Sequence, residues 1–186
     1  MLHDSNDRAY QSPADEIHLD ITMTINPISP IIKKHNEMER TVNMNEHLSE
    51  HFTLREMCQS GTAIRKGINN TPDWKTMERL RALCVNVLEP LRRRFGVIRI
   101  TSGYRSEALN IAVGGAPHSQ HMRGEAADIH VSSMEVGRKM YEFIRLNTQF
   151  DQLLFEHSTK SGATWIHVSY SELFARKQAI PYYKAA

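Results

Sequence analysis

The stretch SQHMRGEAADIH, residues 119–130, crowds two histidines, two carboxylates and an arginine around a centre of small residues. Its second half, ADIHV (127–131), decides the fold. Read as a strand, it puts Asp128 and His130 on one face and Ile129 and Val131 on the other. TWIHVSY (164–170) repeats the pattern, with Trp165, His167 and Ser169 on one side and Ile166, Val168 and Tyr170 on the other. Each strand then has an apolar side for a core and a polar side for something else. His121 stands seven residues before Asp128, with Gly124, Ala126 and Ala127 between them, small enough for its loop to fold closely over the strand. Two histidines and a carboxylate with a fourth position open is a catalytic zinc arrangement. A solvated loop beside an ordinary polar sheet face fits the spacing equally well.

Outward from this stretch, DQLLFE (151–156) is a third strand, joined to TWIHVSY through HSTKSGA, and VIRIT (97–101) is a fourth. Helices surround them. Thr53 and Glu56 make a capping box for a short helix. NNTPDWKTMERLRALCVNVLEPLRRRFG opens a long one, with Thr71 as its cap and Pro72 in its first position. Met77, Leu80, Cys84, Val87, Leu88 and Leu91 line one side of it. Pro90 is expected to kink or shorten this helix and Gly96 to end it. SEALNIAVGG forms another helix, and Ser132-Ser133-Met134-Glu135 starts one that runs to about Asn147. The fold class is α+β: a small, mostly antiparallel sheet packed against helices. Residues 1–48 are polar and patternless, broken by prolines in INPISPIIKKHNEMER, and are expected to form a flexible or loosely docked arm ahead of a domain spanning 49–186.

The 186 residues suit one domain with a real core. The net charge of +2 is too small to argue for nucleic acid, and Arg92-Arg93-Arg94 favours a helix C-terminus. Cys58 and Cys84 lack metal-type spacing and are expected to be buried thiols. No apolar run is long enough to span a membrane. The N-terminus has neither a basic nor an apolar signal region, which predicts synthesis in the cytoplasm.

Ser119-x-His121-x-x-Gly124-x-Ala126-x-Asp128, followed by Trp165-Ile166-His167, resembles the zinc D-alanyl-D-alanine carboxypeptidase family, which groups with lysostaphin-type endopeptidases and the hedgehog signalling domain. SGYRS (102–106), LNIAVGGAPHSQH and the segment Ser60–Gly67 are similar to the family's preceding text, in the manner of small phage-type and bacterial members. The resemblance covers roughly residues 50–170 and implies a hedgehog-like sheet carrying the metal site. It implies His121, Asp128 and His167 as ligands of Zn2+, and Arg105 as the group that holds a substrate carbonyl or carboxylate. Ser119 is placed to hydrogen-bond substrate or to cap the turn that follows it. Trp165 is a further substrate contact.

One position departs from the family. Its acid-x-x-His pattern puts a general base three residues before the last histidine, where this chain has Thr164. Glu156, at the end of the neighbouring strand, is the expected replacement, ahead of Asp151 and His157. Arg123 and Glu125 are expected to face solvent, and His130 to sit beside the ligands without being one. The implied activity is hydrolysis of peptidoglycan stem peptides or cross-links at a D-Ala-containing bond, by a monomer. A non-catalytic, zinc-containing wall-binding module of the same fold is the alternative. Peptidoglycan lies outside the membrane, so a chain without a signal would reach it by phage or prophage delivery.

Overall fold

A computed structural model describes residues 42–159 and 161–185, the last four of these through their backbone alone. Helices come first: α1 (Leu54–Cys58), α2 (Gly61–Lys66), α3 (Trp74–Leu83) and α4 (Glu89–Phe95). Then β1 (Ile100–Ser102), α5 (Glu107–Ala112), β2 (Ala126–His130) and α6 (Met134–Asn147) precede β3 (Gln152–Ser158), β4 (Thr164–Ser169) and β5 (Gln178–Ala185). The expected cap forms at Thr53, whose side chain accepts from Glu56 N–H; α6 is instead capped by Ser133, which accepts from Val136 N–H, one residue after the Ser132 that the spacing to Glu135 points to. The long helix is capped differently from expectation. Asp73, not Thr71, accepts from Thr76 N–H at 2.7 Å, so Pro72 lies just outside the helix.

Pro90 neither breaks nor shortens this helix. A π turn over Cys84–Leu88, with Glu89 N–H donating to Cys84 O, widens the path one turn before the proline, and α4 continues to Phe95. Widening there lets the helix absorb a residue that has no N–H to donate. The apolar stripe survives intact: Met77, Leu80, Cys84, Val87, Leu88 and Leu91 are all fully buried. Each such aliphatic side chain contributes about 1.5–3 kcal/mol. Gly96 ends α4 at φ 79°.

The sheet has five strands in the order β1-β2-β4-β3-β5, antiparallel except for β5, which runs parallel to β3. β5 has no counterpart in the strands expected from sequence, because Pro181 interrupts its run. The pairing jumps from Leu154↔Ile180 to Glu156↔Tyr183, so the proline sits in an irregularity at the sheet edge, where a missing N–H costs least. One sheet face, with Ala127, Ile129, Val131, Leu153, Phe155, Ile166 and Val168, joins the core made with the helices. Of the expected arm, residues 42–48 are described, and they dock. Leu48 is buried, Val42 and Met44 pack against the core, and Glu46 pairs with Arg81. Residues 1–41 lie outside the described residues. Cys58 and Cys84 are free, buried thiols.

Candidate active site

Register builds the site on the other sheet face. Asp128 pairs with His167, which pairs with Leu154, so these three stand side by side across β2, β4 and β3. One step along, His130, Trp165 and Glu156 form a second row on the same face. Glu156 is therefore a diagonal neighbour of His167, within the reach of a long side chain.

His121 arrives from a 3-10 turn, Gln120–Arg123, packed over β2. Gly124 closes that turn at φ 73°, and its N–H donates to the Gln120 and His121 carbonyls. The His121 ring donates from Nδ1 to Gly103 O at 2.7 Å, which leaves Nε2 unprotonated and aimed at the sheet. His121 Nε2 lies 3.3 Å from His167 Nδ1 and 3.3 Å from Asp128 Oδ1, and His167 Nδ1 lies 2.9 Å from the same oxygen. Zinc at its usual ~2.0–2.1 Å from tetrahedral ligands would set them roughly 3.3 Å apart. The three atoms thus already mark one face of such a tetrahedron, and the nitrogen-and-oxygen donor set suits that ion. The residues fit a divalent cation.

Electrostatics agree with this geometry. Burial pushes the His121 ring below its usual pKa despite the Asp128 charge, so the imidazole is neutral, as a ligand must be. Burial opposes ionisation of Asp128 as well, but the adjacent His121 and His167 outweigh it and hold the carboxyl well below its usual range. Asp128 Oδ2 accepts from Arg105 Nη2 at 2.7 Å, while Arg105 Nε donates to Ser102 Oγ at 2.8 Å. Arg105, expected to meet substrate, thus spends one nitrogen on Asp128 and one on β1, and neither bond uses Nη1. Asn70 fixes the loop that carries it, donating to the Cys58 and Tyr104 carbonyls and accepting from Ser106 N–H.

Glu156 is half-buried. Burial raises its carboxyl above the usual 4.5, with His167 pulling the other way and Asp128 adding to the rise. Trp165 is its cross-strand partner and also pulls the carboxyl downward. Thr164, at the position of the missing acid, only meets exposed His157, its Oγ1 3.2 Å from Nδ1.

The structure takes the other polar residues elsewhere. Asp151 is buried and accepts from Arg176 Nε at 2.7 Å, Arg176 Nη2 at 2.6 Å and Gln120 Nε2 at 2.8 Å. The Arg176 bonds pull its carboxyl down to about 2, too low for a base at neutral pH. His130 is exposed at the end of β2. Arg123 is exposed as expected, but Glu125 is not a solvent-facing group. Its side chain is largely covered and pairs with Arg123 at 2.8 Å and Arg79 at 3.8 Å. Ser119 makes no side-chain cap to the turn after it. It lines a cleft of about 730 Å³ that reaches His167, with Leu154 on the sheet and Leu173, Phe174 and Arg176 on the loop after β4.

Sequence reasoning missed the supports of this arrangement: Gly103, Asn70 and the Gln120–Asp151–Arg176 linkage. Gly103 lay inside the SGYRS motif, but a carbonyl's direction has no sequence signature. Arg176 stands in a segment with no pattern at all.

No curated protein matches the chain. The family model for Peptidase M15 matches residues 50–169, which span α1 to β4 and hold every residue of the His121–Asp128–His167 cluster and its Glu156 neighbour. On that match, which takes in well over half of its length, the chain belongs to the peptidase M15 family.

Proposed function

We propose that the chain is a zinc-dependent peptidase that hydrolyses peptidoglycan stem peptides or cross-links at a D-Ala-containing bond. One observation carries the reading: three ligand atoms 2.9–3.3 Å apart on a sheet face that also presents the raised carboxyl of Glu156. A zinc ion held by His121, Asp128 and His167 would supply a Lewis acid to polarise the scissile carbonyl and acidify water. Glu156 takes the proton from the attacking water and returns it to the leaving amine, a task favoured by a pKa moved toward neutrality. Trp165 stands beside Glu156 across the strand pair, and Trp165 and Ser119 border the peptide. Arg105 orients Asp128 through Nη2, and its Nη1, used in neither of its bonds, is the group we assign to the negative charge that develops on the carbonyl oxygen. The cleft beside His167 receives the peptide, with Leu154, Leu173 and Phe174 as apolar walls.

The test is mass spectrometry of muropeptides after digestion of purified cell wall by the zinc-loaded chain, with and without chelator. Release of fragments ending at a D-Ala bond, abolished by chelator, is expected and identifies the bond cut. Wall binding without release, while zinc remains bound, would instead establish the non-catalytic binding module.

A further inference from the structure

A second groove touches the site from the opposite side of β2. The cleft beside His167 lies over β4 and β3. The second, a cavity of about 610 Å³, follows β1 along Arg99–Ser102 and ends at Arg105, between the start of α2 and α5. Sheet order puts Asp128 between the two. Among the described residues β1 pairs with β2 alone, and no described strand covers its other edge along this groove.

The charge in this groove is lopsided. Arg65, Arg99 and Arg105 line it against one acid, Glu56. Arg105 is committed to Asp128 and Ser102. Arg65 donates only to Thr62 Oγ1, at 3.2 Å, and among the described residues neither Arg65 nor Arg99 has a carboxylate partner. Both are exposed and line the same groove, where their charges are open to a ligand. The groove is also continuous with the chemistry, because Arg105 and Ser102 belong to it and to the site.

We infer that this groove is a subsite for a carboxylate-bearing segment of the peptide substrate, with Arg65 and Arg99 as specificity-determining residues. The segment lies along this edge of β1, where backbone groups can take a peptide chain by strand addition. The planar, permanently charged guanidinium groups read its carboxylates. Preference for an acidic peptide over its amidated counterpart follows. The inference rests on the peptidase reading, which supplies the peptide.

Two rhodamine-labelled wall peptides, identical except that the internal carboxylates of one are carboxamides, test it on the full zinc-loaded chain. Affinity is read by fluorescence anisotropy, and KM and kcat in parallel. Arg65→Ala and Arg99→Ala are each expected to weaken binding of the acidic peptide by roughly three- to fivefold, the scale of an exposed ion pair. Arg99→Glu is expected to weaken it further, and the carboxamide peptide should shift less than twofold throughout. For the acidic peptide the loss should appear in KM while kcat holds. Equal losses on both peptides, or none, would overturn the subsite. Anisotropy decides this even if neither peptide is cut, an outcome that would count against the peptidase reading separately.

Discussion

Gly124→Ala is a test of how the His121 turn is held against α3. Gly124 has φ +73°, and a Cβ there would stand 2.6 Å from the Thr76 carbonyl oxygen, 2.8 Å from Thr76 Cγ2 and 3.2 Å from Leu80 Cγ. The left-handed backbone costs a non-glycine residue about 1–2 kcal/mol. The clash adds about 1–3 kcal/mol, because the nearest atom is helix backbone and cannot swing aside. Gly67 supplies the control: its φ is +62°, with nothing within 4 Å of the added Cβ, so Gly67→Ala carries the backbone cost alone. Gly124→Ala should therefore lose about 2–5 kcal/mol, a large share of the ~5–15 kcal/mol typical of a domain. In urea, with a slope of about 2 kcal/mol per molar, the midpoint should fall by roughly 1–2.5 M, against about 0.5–1 M for Gly67→Ala. Zinc affinity, measured by competition with a chromogenic chelator, should fall in Gly124→Ala and hold in Gly67→Ala, because only the former displaces His121. Equal midpoints for the two variants would refute the close approach between the turn and α3.

Three further outcomes follow from the same geometry. Glu156→Gln should keep zinc and lose roughly 10²–10⁴-fold in turnover, and a fully active variant would remove Glu156 as the base. Burial raises the Glu156 carboxyl above 4.5, so its ionisation subtracts stability as pH rises through that value and beyond; in chelator-treated protein Glu156→Gln should melt no lower than the parent near pH 7, with no advantage near pH 4. Arg105→Ala should weaken zinc binding roughly 10–100-fold, because Asp128 Oδ2 loses the partner that orients it, and unchanged affinity would show that Arg105 serves substrate alone. Cys58 and Cys84 should resist a thiol reagent in the native state and react once urea unfolds the chain, because burial pushes Cys58 up to about 12 and Cys84 higher still.

Sequence by itself determined whatever depends on short-range periodicity. The alternation in ADIHV and TWIHVSY put Asp128 and His167 on polar strand faces, and the apolar stripe from Met77 to Leu91 defined the buried helix face, because side-chain direction repeats every 2.0 or 3.6 residues. Helix starts were readable where one side chain bonds a backbone N–H three residues on, at Thr53 itself and, one residue past the Ser132 that the spacing suggested, at Ser133. Thr71 misled because Asp73, two residues later, offered a competing acceptor. Tertiary structure decided everything that needs distant segments to meet. Register made Glu156 a diagonal neighbour of His167, the Gly103 carbonyl chose the His121 tautomer, and Arg105 was turned onto Asp128. Asp151 and Glu125 were drawn into ion pairs with Arg176 and Arg79, partners 25 and 46 residues away in the chain. These choices rest on pairing energies and desolvation between elements, and neither leaves a local pattern in the chain.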